Sequence, residues 1–412
     1  MVTPALLAKP TYWFVLGRES KIAAAEIAAI LNFKKHTYAS TILKIQDISF
    51  RERLFTSEMT LDPSQLMRRL GGTIKIAKEL AVNITEQQMN NLIREELKTI
   101  SGKINFGISI YRENQDKYAD LKLATDIGKK IKRSLKDEGF SVRYVENREP
   151  ILSSVTVEKN NLTGRGREFL IQKNINNTFS VAKTEAVQPF EDFSARDFGR
   201  PGRDDISGML PPKLAMIMIN LAQAPLEAVI MDPFCGSGTI LSEALLMGYT
   251  NVIGTDISKK AILDTKKNID WITAKFNIST NESRITIEQK DAEEIGAFVP
   301  PASVSSIIAE PYMGKPLKGR ETKEELLLQA NELKKLYVSA FAQFYKILQP
   351  GGVAVFLIPR FKYQSEWITI NCQKEIEGLG FKLLPFFEDN MPLIYARPDQ
   401  RVAREIWRFK KV

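Results

Sequence analysis

Three acids and two glycines fall at spacings that can do chemistry together. In "MDPFCGSGTI", residues 231–240, Asp232 closes a short apolar run, and Gly236 and Gly238 follow in the turn behind it. Glycine at those positions lets backbone approach a ligand where a Cβ would obstruct it. A phosphate cradle is disfavoured, because a third glycine is missing and no Lys-Ser/Thr pair follows. Asp232 would repel phosphate, yet it suits a ligand carrying a cationic amino group and a sulfonium, the charges of S-adenosylmethionine. Asp256, in "GTDIS" at the carboxyl tip of the second strand, lies 20 residues after Gly236, where a carboxylate can accept hydrogen bonds from both hydroxyls of an adenosine ribose. Asp291, in "KDAEE", is placed to accept from the adenine amino group. The cofactor contacts expected are therefore Asp232, Pro233, Phe234, Cys235, Gly236, Ser237, Gly238 and Thr239 in the turn, Asp256 and Ile257 at the second strand, and Asp291 and Ala292 after the third.

These residues need a parallel sheet to hold them. "AVIMD" reads as a buried strand, with a helix opening at Thr239. Then follow "NVIGTD", a helix from Ser258, "RITIEQ", "VSSIIAE", a long helix near 324–348, "PGG" and "VAVFLIP". Continuous apolar strands alternating with helices predict an α/β, Rossmann-like, doubly wound sheet, with the glycine turn at the carboxyl end of a strand where such sheets bind ligands. "GFKLLPFF" and "LIYARPDQRVAREIWRFKK" predict an antiparallel addition at one edge. Upstream, "YWFVLG" from Tyr12 reads as a strand and "SKIAAAEIAAIL" as a helix capped by Ser20, with Ile22, Ile27, Ile30 and Leu31 at helical spacing. Residues 103–111 alternate as a strand. Residues 120–139 put Leu123, Ile127, Ile131 and Leu135 on one helical stripe, and "FSVRYVE" follows as a strand. These units predict an α+β region open to a ferredoxin-like arrangement. The expected division is 1–95 as a ferredoxin-like α+β region, 96–188 as a second α+β domain, 189–212 as a Gly/Pro-rich linker, and 213–412 as the doubly wound domain.

Composition narrows the partners. Two cysteines and the single His36 leave no material for a disulfide framework, a zinc cluster or a histidine triad, so no metal is expected and a reducing cytoplasm fits. The apolar runs "YWFVLG" and "VAVFLIP" fall short of membrane-spanning length, and no membrane partner is expected. The net charge of +9 is unevenly placed: residues 1–190 hold 30 Lys+Arg against 21 Asp+Glu, and residues 191–412 hold 28 against 28. That imbalance favours a polyanion in the first half, against a plainly solvated surface. Lys129, Lys130, Lys132, Arg133 and Lys136 crowd one helix, which argues for facing phosphates as well as for a polar flank of a core helix.

At this point "DPFCGSGTI", "GTDIS", "KDAEE" and "AEPYMGKPL" resemble the motifs of class I S-adenosylmethionine-dependent amino-methyltransferases. With "VRYVENREPILSSVTVEKN" and "GRPGRDDISGMLPPKLA", the chain is similar to the THUMP-containing tRNA guanine-N2 methyltransferases, over nearly its full length from about Tyr12. The resemblance implies an enzyme that modifies structured RNA, namely tRNA, whose N-terminal part grips the RNA and whose C-terminal domain methylates an exocyclic guanine amine. It makes residues 96–188 THUMP-like and adds Arg148 and Lys159 as phosphate contacts. The family places Asp or Asn, two prolines and an aromatic after the fourth strand, so that acceptors hold the target NH₂ and the ring stacks on the base. Here Ala309 takes the acidic place, and the candidate catalytic residues are Glu310, Pro311 and Tyr312. Either Glu310 takes over the acceptor role, or amine methylation is impaired or redirected.

Other residues are weighed against the same resemblance. Cys235 is expected to be a small packed side chain rather than a nucleophile, Cys372 to be core, and His36 to lie at the surface. Arg200, Asp204, Ser207 and Lys213 are candidates for ordering "GMLPP" against the methionine end of the cofactor, a connecting role being the alternative. Two further readings stay open: a DNA N6-adenine or N4-cytosine methylase, and a non-catalytic RNA-binding protein with the same fold. The modified nucleotide, a small activating partner protein and the oligomeric state are left open.

Overall fold

The computed structural model describes residues 10–33, 54–59, 62–112, 116–203, 209–280, 283–387, 390–397 and 400–412. They divide into two compact units: the first draws on 1–20, 46–69 and 73–190, and the second on 21–45, 70–72 and 191–412.

Along the first part of the chain come β1 (Thr11–Leu16), α1 (Ser20–Phe33), β2 (Leu54–Glu58), α2 (Pro63–Arg69), β3 (Thr73–Ile84), α3 (Glu86–Lys98) and β4 (Ile104–Tyr111). Then follow α4 (Lys117–Asp137), β5 (Val142–Tyr144), α5 (Ser154–Lys159), β6 (Arg167–Lys173) and β7 (Phe179–Val187). The seven strands form one sheet in the order β2-β1-β3-β7-β6-β4-β5. The strands expected in separate regions, 1–95 and 96–188, therefore share a sheet. The physical reason is β3, whose 12 residues pair with β1 on one edge and β7 on the other. Helix α4 starts where the Asp116 side chain accepts from the Tyr118 and Ala119 N–H groups, and it buries Ile127, Ile131 and Leu135 against the sheet. Inside the sheet, Lys75 Nζ donates to Glu168 Oε1 at 2.5 Å and to the Leu152 carbonyl at 2.7 Å. The Ser109 and Thr184 hydroxyls complete the acceptors of Glu168 at 2.6 and 2.7 Å, so this buried pair is fully satisfied.

In the second unit α6 (Phe190–Phe198) and α7 (Pro212–Ala222) precede β8 (Val229–Asp232), α8 (Thr239–Leu246), β9 (Asn251–Asp256), α9 (Lys259–Lys275), β10 (Arg284–Gln289) and β11 (Val304–Ala309). After them come α10 (Lys323–Ile347), β12 (Leu348–Tyr363), β13 (Glu366–Thr369), α11 (Gln373–Gly378), β14 (Phe381–Leu383), β15 (Leu393–Tyr395) and β16 (Val402–Lys411). The sheet runs β10-β9-β8-β11-β12-β16-β14, with β13 paired to β12 and β15 to β16. Strands β8 to β12 are parallel, and β16 and β14 are the expected antiparallel addition. The chain leaves β8 outward through β9 and β10, then returns on its other side at β11. That reversal is a topological switch point, and it opens a crevice at the carboxyl ends of β8 and β11. An aromatic cluster of Tyr337, Phe341, Phe344, Phe356 and Phe409 packs the helix α10 onto the sheet.

Two segments differ from the sequence reading. The stretch expected as a bare linker contains α6, whose Arg196 is buried with Nε 2.9 Å from Glu243 Oε1 on α8. Helix α1 and residues 70–72 belong to the second unit rather than to an N-terminal region. Glu26 explains it: fully buried, it accepts from the Gly71 N–H at 2.9 Å, the Gly72 N–H at 2.8 Å and Asn220 Nδ2 at 2.8 Å. Among the described residues no helix is long and apolar enough to cross a membrane.

Burial pushes the Glu26 carboxyl up to about 7, against the three hydrogen bonds that favour its ionised form. Burial likewise pushes Glu243 up to about 7, against the Arg196 guanidinium. Both sites hold a proton more tightly in the folded chain than in the unfolded one, where glutamate titrates near ~4.3. Stability contributed this way is complete at low pH, falls as pH rises through that interval to about 7, and is flat above it. For Glu26 the loss is roughly 4 kcal/mol. Denaturant melts at pH 5, 6, 7 and 8 should show the decline, and Glu26→Gln should remove its share of the slope. A pH-independent midpoint would contradict it.

Candidate active site

Strand pairing brings three carboxylates to one end of the sheet. β8 lies between β9 and β11, with Asp232 opposite Gly254 and Met231 opposite Ile307. Asp232, Asp256 and Glu310 thus sit at or just beyond three neighbouring strand tips. Asp232 is 2% exposed, and its Oδ1 accepts from the Phe234 N–H at 3.0 Å. Burial, then the charges of Asp256 and Glu310, hold its pKa well above the usual carboxylate range.

The glycine turn is tied on both sides. The Gly236 N–H donates to Asp256 Oδ2 at 3.0 Å, and the Ser258 N–H donates to Asp256 Oδ1 at 2.8 Å. The Cys235 N–H reaches the Thr255 carbonyl at 2.9 Å, and the Gly238 N–H reaches the Cys235 carbonyl at 2.7 Å. Gly236 has φ +52° and, among the described residues, nothing within 4 Å of where a Cβ would stand, so a ligand can meet its backbone directly. Gly238 has φ +80°, and a Cβ there would lie 2.8 Å from Thr265 Cγ2. Two residues of α9 that sequence reasoning missed hold the turn's carbonyls. Thr265 Oγ1 donates to the Gly236 carbonyl at 2.9 Å, and Asn268 Nδ2 donates to the Ser237 carbonyl at 2.7 Å and the Gly202 carbonyl at 2.8 Å. The two are three apart and so share one helix face, but among Asp264, Lys266 and Lys267 they look like ordinary helix polar residues.

The remaining expected cofactor residues are placed as follows. Pro233, Ser237 and Thr239 are buried in the turn, and the Phe234 ring meets Phe356 edge-on at 6.3 Å. Ile257 is exposed beside Asp256. Asp291 is half-buried with Oδ1 accepting from the Glu293 N–H at 2.9 Å. Ala292 packs in the core. The Cys235 thiol is buried 3.6 Å from Thr265 Oγ1. Burial first, then Asp232 and Asp256, push its pKa up, away from the thiolate. Alkylation of Cys235 in the folded protein should therefore be slow, and Cys235→Ala should leave ligand affinity intact; rapid labelling would overturn this. Cys372 is buried, as expected.

At the other side of the switch point, Glu310 Oε1 accepts from Arg404 Nε on β16 at 2.5 Å, with both side chains mostly buried. Pro311 is buried. Tyr312 is 55% exposed while its carbonyl accepts from the buried Tyr337 hydroxyl at 2.7 Å. The backbone is thus fixed and the ring stays free. The partnership with Arg404 had no local sequence signal, since 94 residues separate the two.

Of the residues expected to order the turn, Arg200 is buried and donates to Thr239 Oγ1, while Lys213 is exposed over the Phe193 ring. Asp204, Ser207 and His36 lie outside the described residues. In the first unit Lys129, Lys130, Arg133, Lys136, Arg148 and Lys159 are exposed and Lys132 half-buried; Lys130 pairs with Glu86 at 3.2 Å. Among the described residues no group of three or more His, Cys, Asp or Glu could hold a metal ion.

A family model described as "RMKL-like, methyltransferase domain" matches residues 200–371, and one described as "DNA methylase" matches residues 78–267. The chain is 34% identical over 139 residues to the tRNA (guanine(10)-N2)-dimethyltransferase of Methanothermobacter thermautotrophicus, covering 33% of this chain and 40% of that protein. It is 31% identical over 139 residues to the probable tRNA (guanine(10)-N2)-dimethyltransferase of Methanothermococcus thermolithotrophicus, covering 33% of this chain and 82% of that one. The chain belongs to this family of methyltransferases. The match to the first relative spans less than half of that protein's length. The fold of the chain is also that of TrmN from Thermus thermophilus, with a TM-score of 0.54 at 15% identity over 98% of this chain and 100% of that one. In this chain the turn, the three carboxylates and Tyr312 all lie at the carboxyl ends of β8, β9 and β11.

Proposed function

We propose that the second unit binds S-adenosylmethionine and transfers its methyl group to an exocyclic base amine of RNA, the N2 of a guanine in tRNA, in a reducing cytoplasm. One observation carries this reading: Asp232 is a buried carboxyl at a strand tip whose pKa the neighbouring acids Asp256 and Glu310 raise further. Such a site is incomplete without a positively charged ligand. The open space at Gly236 admits that ligand to the backbone. When bound, the cofactor supplies an electrophilic methyl group on a sulfonium.

The chain's own residues do the rest. Asp232 accepts from the ligand's ammonium. Asp256, already fixed by two backbone N–H groups, has lone pairs left for the ribose hydroxyls. Ile257 covers the adenine and Asp291 accepts from its amino group. Glu310, with one oxygen held by Arg404, offers the other to an N–H of the target amine; the Pro311 carbonyl takes a second, and the nitrogen lone pair is turned away from the ring. Tyr312 stacks on the unstacked base. The cations of α4, with Arg148 and Lys159, meet RNA phosphates from the first unit.

The test is nucleoside mass spectrometry of tRNA incubated with the protein and S-adenosylmethionine. A gain in N2-methylguanosine is expected. Methylation of duplex DNA but not of tRNA would move the assignment to the DNA amino-methylases. Calorimetry with S-adenosylhomocysteine giving no heat would end the enzymatic reading altogether.

A further inference from the structure

We infer that the second unit carries its own RNA-backbone surface beside the reacting end, formed by Lys315, Lys318, Arg320, Lys362 and Arg401. This rests on the reading that the substrate is RNA.

The segment from Glu310 to Thr322 runs alongside the start of β16. At one end Glu310 meets Arg404, and at the other Gly319 lies so close beneath Arg401 that a Cβ there would stand 2.2 Å from its guanidinium. Two left-handed glycines give the loop this path, Gly314 at φ +90° and Gly319 at φ +89°. Gln329 Oε1 accepts from the Lys315 N–H at 3.0 Å, and the Glu321 carboxylate accepts from the N–H groups of Lys318 and Gly319. Lys362 joins the patch because its N–H donates to the Arg401 carbonyl at 2.8 Å.

The acids nearby are mostly occupied. Glu321 serves the loop backbone, Glu310 is paired with Arg404, Glu366 with Lys323 at 3.0 Å, and Glu325 caps α10 by accepting from the Thr322 N–H. Glu324 is the exposed acid left in that turn. Against it stand five exposed cations, none of which closes a salt bridge among the described residues. Lys315, Lys318 and Arg320 share their loop with the exposed Tyr312 ring, and Arg401 packs on that loop at Gly319, so a base stacked there has its own flanking phosphates within the reach of lysine and arginine side chains. The even charge of residues 191–412 had hidden this local excess.

The experiment measures binding of tRNA to the full chain against salt. Lys318→Ala/Arg320→Ala/Arg401→Ala should lower the slope of log affinity against log salt by about 2–3, at roughly 0.7–0.9 per phosphate contact. Heat from S-adenosylhomocysteine should be unchanged. Because Arg401 packs on Gly319, Lys315→Ala/Lys318→Ala/Arg320→Ala serves as a second variant with no packing role. A wild-type slope in that variant, with cofactor-product binding intact, overturns the inference alone. No tRNA binding by the unaltered protein overturns the RNA reading itself.

Discussion

Glu310→Ala should lower methyl transfer by ~10²–10³-fold in kcat, the size seen when one preorganised polar contact to a reacting group is removed. Affinity for S-adenosylhomocysteine should stay near that of the unaltered protein. The expectation follows from where the carboxylate is and how it is held. It stands at the tip of β11, next to the switch point, and Arg404 Nε fixes one of its oxygens at 2.5 Å. A carboxylate fixed by one oxygen presents the other in a defined direction, which an acceptor for a turned amine requires. Glu310→Gln should fall between the two, because the amide keeps one acceptor but loses the charge that Arg404 answers. Arg404→Lys should also be intermediate, since an ammonium cannot reproduce the planar contact of a guanidinium. Full activity in Glu310→Ala would mean that the carboxylate exists only to satisfy Arg404, and that the departure from an acidic residue at Ala309 had moved the acceptor elsewhere.

Much of the second unit was readable because strands buried in the sheet leave apolar runs, as β8 and β11 do, with helices between them. Ser258 illustrates the point: its side chain accepts from the Ala261 N–H, so the helix start is written locally. Asp232, Asp256 and Glu310 were readable for the same reason, since a residue ending a strand is known once the strand is. What stayed hidden was non-local. The sequence of α1 describes an apolar helix well enough, but nothing in it says that Glu26 will be buried against Gly71, Gly72 and Asn220. The nine residues of α6 are too few and too charged for periodicity to stand out. Thr265 and Asn268 look like ordinary helix polar residues until the turn is laid beside them. Arg404 lies on a strand whose partner is fixed only by closure of the sheet.

Asp232→Asn should weaken S-adenosylmethionine binding by about 2–5 kcal/mol, or ~30-fold and more, because it removes one partner of a desolvated charge pair. It should do so without unfolding the protein. In the free protein burial holds the Asp232 pKa well above the carboxylate range, so the neutral form, which an amide resembles closely, persists to higher pH than in an exposed carboxyl. The cationic ligand favours the ionised form instead. Binding must then expel a proton whenever the free carboxyl is protonated, and affinity should rise with pH through that range by up to about tenfold per unit. Calorimetry in buffers of different ionisation enthalpy counts the proton directly. The asparagine variant should release none from this site and lose the corresponding pH slope. The same slope in both proteins would place the titrating group elsewhere, and pH-independent binding in the unaltered protein would reduce Asp232 to the turn residue that receives the Phe234 N–H.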